Sequence, residues 1–448
     1  MANEPQAPSR LGPDEALRIA AERFAVSAIS AEAFSWGGSQ GFILTDGTSG
    51  RVYVLELSPP ETDPEILDLR NRILEHLGRA GFSLSKVVHS TDGHELVGIP
   101  SSEGGSVLTR LLTGVPGTLL GEANPQTSAL MRSLGAFLGG MNRALEGFSH
   151  PAQDRELESD LKAAGKVIRA NLESVDDPRN RALLEEMAER CLERLGPLIP
   201  DLRMGVIHGN AHSKNMVVNL PTPEGGSEDR RVTGVLDFCD AVRSFLVGEA
   251  AIAGAHAMLG KKDPWTVAAQ VVGGYHSAYP LSEAEIDAAV PLMGLRLCAS
   301  VALSAREAGG EREGPSLTVN ETHSWSLLEA FESEGLEFPR YLIREACGLD
   351  PVPSASAVVS WLEANGQAAA PVIGRIASPS EEEMGLGILT GPGKPPEADS
   401  LDLSVSPLHV FDLSVDSGEF GLTPDPDDVQ GWTDLLFQKM KAVGAEVG

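Results

Sequence analysis

The sequence predicts an α+β protein of two lobes, a small β-rich N-terminal lobe and a mainly helical C-terminal lobe, followed by a small appended segment. Three observations lead there. Residues 1 to about 115 are short strand-like runs around one helical stretch, residues from about 125 to 345 carry long apolar periodicity of helical type, and after Gly348 the composition shifts to Pro, Gly, Ser and acidic residues. A chain of 448 residues has room for about two to four domains. The divisions that follow are an N-terminal extension over residues 1–24, an N-lobe over 25–115, a C-lobe over 116–350, and a linker with a small appendage over 351–448.

Taken in order, Gly37-Gly38-Ser39-Gln40-Gly41-Phe42 is a glycine-rich turn. Its backbone N–H groups, with Ser39 and Gln40, are candidates to cover phosphates, although three glycines suit an ordinary hairpin equally well. Phe42-Ile43-Leu44-Thr45 and Arg51-Val52-Tyr53-Val54-Leu55 then flank the turn Asp46-Gly47-Thr48-Ser49-Gly50, a hairpin pattern. Residues 65–78 have helical spacing, with Ile66, Leu69, Ile73, Leu74 and Leu77 on one side. Strand-like runs at 86–89 and 106–112 follow, Gly114-Val115-Pro116-Gly117 punctuates the end, and the architecture expected for the lobe is five strands and one helix. In the second lobe, residues 128–145, 157–171, 179–195 and 281–307 read as helices. Between them, Met216-Val217-Val218 and Val232-Thr233-Gly234-Val235-Leu236 form a hairpin across the loop at 221–227. In the tail, residues 408–415 read as a strand and 429–443 as a helix.

Composition narrows the class of partner. A formal net charge of −29 leaves nothing to neutralise nucleic-acid phosphates, and is compatible with attraction of a small cationic or zwitterionic amine. No apolar run approaches the roughly 20 residues of a membrane span, and the polar start has no signal-peptide pattern. Cys191, Cys239, Cys298 and Cys347 show neither metal-ligand spacing nor a disulfide framework, so reduced thiols in a cytoplasmic protein are expected. His256, His276 and His323 lie in apolar helical stretches and read as structural.

The chemistry is concentrated in Val206-Ile207-His208-Gly209-Asn210-Ala211-His212-Ser213-Lys214-Asn215 and in Gly234-Val235-Leu236-Asp237-Phe238-Cys239-Asp240. An amide oxygen closing a loop and a carboxylate on the next strand are hard oxygen donors that can share Mg²⁺, which makes Asn215 and Asp237 the metal-ligand candidates. The two stretches resemble the catalytic loop and metal-binding strand of the aminoglycoside phosphotransferase/choline kinase-like family, whose pattern is His-Gly-Asp-x-x-x-x-Asn followed by an Asp-Phe-Gly-Asp-like segment. Tyr53-Val54-Leu55, Leu69-Arg70-Asn71, Arg110-Leu111-Leu112-Thr113-Gly114-Val115-Pro116-Gly117, His150-Pro151 and Ala346-Cys347-Gly348-Leu349 are similar to the hydroxylysine kinase branch, over roughly residues 25 to 350. The resemblance implies a protein-kinase-like fold, His208 packing the catalytic loop, residue 210 at the catalytic-base position, and adenine against the backbone near Leu111, Leu112 and Thr113. It also implies an amino alcohol or hydroxylated amino acid as phosphate acceptor.

Three departures bear on activity. Glu56 stands where the family has its phosphate-binding Lys, Asn210 where it has the catalytic Asp, and Cys239 where it has Gly. At ~4 Å and an effective dielectric of ~20 a unit charge pair is worth ~4 kcal/mol, so reversing the sign at the phosphates shifts binding by on the order of 8 kcal/mol. An amide can orient a hydroxyl but cannot take its proton, and loss of a general base costs about 10²–10⁴-fold. Two readings stay open: a degenerate domain that binds a small molecule or scaffolds fused or partner enzyme domains and needs no cofactor, and an active kinase that uses Mg²⁺ and ATP. Val410-Phe411-Asp412-Leu413-Ser414-Val415 and residues 440–448 resemble the segment that follows the kinase-like module in bacterial fusions with peptidase-like and aminotransferase-like domains. That likeness implies that the chain is part of a longer protein.

Overall fold

The computed structural model describes residues 11–36, 39–59, 62–100, 106–220, 230–308, 321–352, 373–377 and 387–390. Gly37, Gly38, the loop at 221–227 and the expected tail elements at 408–415 and 429–443 lie outside the described residues. The chain divides into two compact units, residues 1–333 and residues 334–448.

The first unit begins with α1 (Pro13–Phe24), β1 (Ala28–Trp36), β2 (Ser39–Asp46), β3 (Val52–Leu57), α2 (Pro64–Arg79), β4 (Val87–Val88), β5 (Val97–Pro100) and β6 (Ser106–Thr113). The strands form one antiparallel sheet in the order β1-β2-β3-β6-β4, with β5 also paired to β6. That is six strands and two helices, against the five and one expected. β5 is Val-Gly-Ile-Pro, too short and too rich in sheet breakers to register as a strand. α1 escapes notice because alanines supply half of its buried face: Ala16, Ile19, Ala20 and Phe24 pack on Phe42, Leu44, Leu55, Leu57 and Leu111. Part of the stretch set aside as an extension thus completes the N-lobe core.

Strand side chains alternate between faces, so the opposite side of the same sheet is equally determined. With Phe42, Leu55 and Leu111 turned to α1, register places Ile43 beside Val54 and Leu112, and Glu56 beside Arg110, on the other face. α2 follows, started by Pro64 and capped by the Asp63 carboxylate, which accepts from Glu65 N at 2.9 Å. It is tied to the C-lobe at two points. His76 Nε2 lies 2.8 Å from Ala144 O, and His150 Nε2 lies 3.0 Å from the Asp68 carboxylate.

The C-lobe runs β7 (Thr118–Leu119), α3 (Ser128–Ala144), α4 (Ala164–Asn171), α5 (Pro178–Leu195), β8 (Met204–Ile207), β9 (Met216–Val218), β10 (Val232–Val235), β11 (Val242–Phe245), α6 (Leu246–Met258), α7 (Pro264–Ala278), α8 (Glu283–Ala308) and α9 (Glu321–Glu334). β9 and β10 form the expected hairpin, joined on its β9 side by β7, while β8 and β11 make a separate ribbon. α8 is long and apolar enough to cross a membrane, contrary to the reading that no such stretch exists, but 94% of its apolar window is buried inside the protein. A helix surrounded by other helices is apolar all round for that reason. The second unit contains α10 (Glu337–Ala346) and an antiparallel hairpin of β12 (Ile373–Ala377) with β13 (Gly387–Thr390), for which the sequence offered no signal.

One crossing in the C-lobe depends on glycine. At α3 against α7, a Cβ on Gly135 would lie 1.8 Å from Val271 O, and one on Gly274 would lie 2.1 Å from Arg132 O. Both obstacles are backbone atoms, which cannot swing aside as a side chain does. Gly135→Ala is therefore expected to lower unfolding stability by about 1–3 kcal/mol or more, read as a reduced urea midpoint. An unchanged midpoint would show that the two helices are not in backbone contact.

Candidate functional site

β8 delivers the chain into residues 208–215. His208 is fully buried and its ring serves the loop itself: Nδ1 accepts from Asn210 N at 3.2 Å, and Nε2 lies 2.8 Å from Leu236 O. The ring packs edge-on against Phe238, and the backbone N–H of His208 donates to the buried Glu249 carboxylate at 2.5 Å. His208 therefore positions the loop. Gly209 has φ 77°, and a Cβ there would lie 2.6 Å from Asp240 O, so glycine is required on both counts.

Asn210 is gripped at both ends of its amide. Its Oδ1 accepts from Arg296 Nη2 at 2.9 Å, and its Nδ2 donates to the Asp240 carboxylate at 2.9 Å. A guanidinium only donates and a carboxylate only accepts, so the amide orientation is settled by its neighbours. Arg296, buried in α8, also donates to Ser159 O at 3.2 Å, and Asp240 accepts from Ser159 Oγ at 2.7 Å. Burial draws the Arg296 guanidinium below its ordinary range, with Asp240 opposing.

Asn215 Nδ2 donates to Asn210 O at 3.1 Å, which commits the amide nitrogen and leaves the amide oxygen as the ligand atom. Leu236 N donates to Asn215 O at 2.8 Å, bringing Asp237 alongside. Asp237 has φ 58°, a left-handed conformation that Asp tolerates better than most residues, and its Oδ1 accepts from Cys239 N at 3.1 Å. Burial alone would raise the Asp237 carboxyl; the Arg70 guanidinium and the hydrogen bonds from Cys239 outweigh it and hold the group below its usual value. An ionised carboxylate beside an amide oxygen is the donor set that Mg²⁺ takes together with phosphate and water oxygens, so the two residues fit the metal. Burial pushes the Cys239 thiol up to about 12, which makes it a packing group. Arg155 braces this turn through the carbonyls of Cys239 and Ala241.

Glu56 is not an isolated negative charge. Its Oε2 accepts from Arg110 Nε at 2.7 Å and from Arg70 Nη2 at 3.2 Å, with all three side chains nearly out of solvent. Arg110 is the cross-strand neighbour of Glu56, and its Nη1 also donates to Asn71 Oδ1 at 2.7 Å. Arg72 points elsewhere, to Glu75 and Glu95. The two arginines differ in their surroundings. Burial disfavours the Arg70 cation, yet Glu56, Asp237 and Asp240 together raise its pKa above the ordinary value. Arg110, facing Glu56 alone and repelled by Arg70, is held below that value by burial. The expected repulsion of phosphate assumed an unpaired carboxylate, and one carboxylate between two guanidiniums carries a net charge of +1 instead. In kinase-like sites a Lys on the third strand pairs with a Glu on the following helix. Here the signs are exchanged, Glu on β3 and Arg on α2.

The remaining candidates are engaged in the N-lobe. Ser39 pairs with Trp36 across the β1–β2 turn. Gln40 donates to Leu11 O at 2.8 Å and accepts from Leu11 N at 3.0 Å, so its amide ties β2 to the chain before α1 rather than reaching for phosphate. Leu112 sits between Val54 and Val87 on the ladder. Thr113 N donates to Lys86 O and Thr113 Oγ1 accepts from Lys86 N, both at 2.9 Å, leaving Thr113 no free backbone donor for a base. The sequence did not single out Arg110, Arg296 or Asp240. Arg110 and Arg296 had a signal: each is a lone cation inside an apolar run, and a buried charge requires a partner.

A profile of the phosphotransferase enzyme family matches residues 30–286, more than half of the 448-residue chain. Hydroxylysine kinase of Mus musculus is 27% identical over 263 residues, covering 56% of this chain and 69% of that protein. The Bos taurus hydroxylysine kinase is 27% identical over 270 residues, covering 59% and 71%. Among solved structures, amicoumacin kinase hAmiN in complex with AMP-PNP, Ca²⁺ and Ami superposes with a TM-score of 0.53 at 16% identity, covering 72% of this chain and 93% of that one. A microcompartment-associated aminopropanol kinase gives 0.52 at 18%, covering 74% and 98%. The last two likenesses bear on the fold, a two-lobed kinase-like one.

Glu56→Gln is expected to cost about 3–5 kcal/mol in urea unfolding, because it leaves two buried guanidiniums facing each other. The exchange Glu56→Lys with Arg70→Glu should recover most of that loss, and failure to recover any would refute the reversed pair. A second outcome concerns pH. Burial, with the charges of His208 and Arg296, lowers His212 to about 4 from its ordinary 6.5. The unfolded chain then binds the proton first, so stability held above pH 6.5 declines as pH falls toward 4. Urea midpoints across that range should show the decline, and His212→Asn should make it shallower, the remainder coming from His256, which burial also holds below its ordinary value.

Proposed function

The chain belongs to the phosphotransferase enzyme family, and from that premise we propose that its cleft binds a nucleotide and a small hydroxylated molecule while phosphoryl transfer between them is strongly attenuated. The observation that carries this reading is the amide of Asn210, held by a donor at one end and an acceptor at the other. An Asp at this position would meet Arg296 favourably but would face the Asp240 carboxylate with a like charge. The family pattern carries Asp at both positions, so the attenuation comes from the amide itself, which is satisfied at both ends and cannot take the proton that general-base catalysis removes.

Binding keeps its support. Asn215 and Asp237 would hold Mg²⁺, which when bound supplies positive charge to phosphate oxygens. Arg70 keeps its positive charge among three carboxylates, and its Nε is buried without a partner among the described residues. The pairing of Glu56 with Arg70 and Arg110 removes the unpaired carboxylate that would repel a polyphosphate. Ile43 and Val54, side by side on the sheet face opposite α1, offer an apolar surface for a base. The acceptor class is drawn from the relatives, which are named for hydroxylysine, amicoumacin and aminopropanol. A role as the ligand-binding module of a larger multidomain protein belongs to the same proposal, with the likeness of the tail to bacterial fusion proteins as its support.

A second reading, an active phosphotransferase for a hydroxylated amino acid, is favoured by one observation. Asp240 presents a carboxylate 2.9 Å from Asn210 Nδ2, one hydrogen bond beyond the base position. ADP release and calorimetry with an Mg–nucleotide analogue separate the two. Under the proposal the wild-type chain binds the analogue, Asp237→Asn weakens that binding, and Asn210→Asp raises turnover, by less than the usual 10²–10⁴-fold because Asp240 opposes its ionisation. Rapid wild-type turnover abolished by Asp240→Asn would establish the second reading, and no nucleotide binding would sink both.

A further inference from the structure

Beside the catalytic loop the C-lobe forms a cavity of about 280 Å³ that is open to solvent on one side. Ala211 and Ser213 form its wall on the loop side, one and three residues past Asn210, and Gly121 N donates to Ser213 O at 2.9 Å to join the opposite wall to it. That volume has room for a molecule of amino-acid size. Leu120, Met131, Leu134 and Leu259 make much of the lining apolar.

Lys261 is the one Lys or Arg among the residues lining this cavity. Gln126, Ser213, His256, Lys261 and His323 line it, and no carboxylate does among the described residues. In a chain of net charge −29 that is an unusual choice of walls. Lys261 Nζ donates to Gln126 Oε1 at 2.5 Å, and Gln126 Nε2 in turn donates to Leu120 O at 2.7 Å, so the ammonium is steered by an amide whose own orientation is set by the backbone. No carboxylate of the described residues pairs with Lys261, and burial lowers its pKa below the ordinary value, the expected direction for a cation short of a counter-charge. His256 is held neutral by burial and by Arg296 beside it, whose Nε lies 3.4 Å from His256 Nε2. Through Arg296 the same wall touches the amide of Asn210.

We propose that this cavity receives the acceptor molecule and that Lys261 binds a carboxylate on it, so the ligand is a hydroxylated amino acid or hydroxy acid and not an amine lacking an acid group. The inference rests on the proposed cleft and names the chemistry of its second ligand. It narrows the expected cationic or zwitterionic partner to one that carries an acid group. The acidic surface and the Lys261 ammonium act at different ranges: surface charge is screened within about 10 Å by salt, whereas a partly buried ammonium acts on contact.

Calorimetry on matched pairs tests it without any requirement for turnover. L-serine is compared with ethanolamine, L-threonine with 1-amino-2-propanol, and 5-hydroxylysine with its decarboxylated amine, each with and without an Mg–nucleotide analogue. The acid-bearing member of at least one pair is expected to bind roughly ten- to a hundredfold more tightly, the worth of one hydrogen bond to a charged group. Lys261→Met should erase that preference and Lys261→Arg should keep it, with nucleotide affinity unchanged in both. Equal or tighter binding of the amine in every pair, or no heat from any member at millimolar concentration, would overturn the inference. Since nucleotide binding is measured on the same samples, its loss reports on the cleft proposal and the pair preference reports on Lys261.

Discussion

A carboxylate enclosed by two guanidiniums is the constraint on which the N-lobe half of the site depends. Glu56 on β3, Arg110 on β6 and Arg70 on α2 come from three elements, and removing Glu56 would leave two buried guanidiniums without their shared counter-charge. The arrangement therefore fixes how α2 lies across the sheet. Because α2 is also bound to the C-lobe through His76 and Asp68, the ion cluster is held at a set distance from the catalytic loop. Arg70 occupies the junction, close enough to Asp237 and Asp240 for both to hold its proton in place.

The C-lobe half is governed by the same rule applied to a neutral group. Asn210 sits among Arg296, Asp240 and Ser159, and every strong donor in that cluster has an acceptor. Buried polar networks are stable when complete and costly when broken, so a single change from amide to acid would disturb several partners at once. Asn210 is thus one member of a matched set. Sign reversal at Glu56 and amide substitution at Asn210 have different consequences. The first is compensated locally by a second arginine, while the second removes a proton acceptor for which the arrangement provides no replacement at the same atom.

The long periodic helices, the β9–β10 hairpin and the run from His208 to Asp237 were legible because each is local in sequence. Helical spacing in α3, α5 and α8 and the loop–strand motif need no knowledge of distant partners. What escaped notice was short or masked by composition. β5 is broken by Gly and Pro and α1 buries alanines, while α6 and α7, apolar on nearly every side, were read only as apolar helical stretches without bounds. The phosphate-covering turn was read from a glycine-rich stretch and the adenine contact from the resemblance, and in the structure Gln40 and Thr113 hydrogen-bond to neighbours within the N-lobe.

By itself the sequence determined the two-lobed α+β class, the family motif and the two departures from it at Glu56 and Asn210. It also contained the information that Arg110 and Arg296 are cations in apolar surroundings, though not what they face. Only the tertiary structure decided the meaning of those departures. Charge acts through space, and the partners of Glu56 lie 14 and 54 residues away, while Arg296 reaches Asn210 across 86. No local pattern encodes such distances; strand register and helix packing do, and they turn an apparent repulsion into a net positive cluster and an apparent point change into one part of a complete hydrogen-bond network.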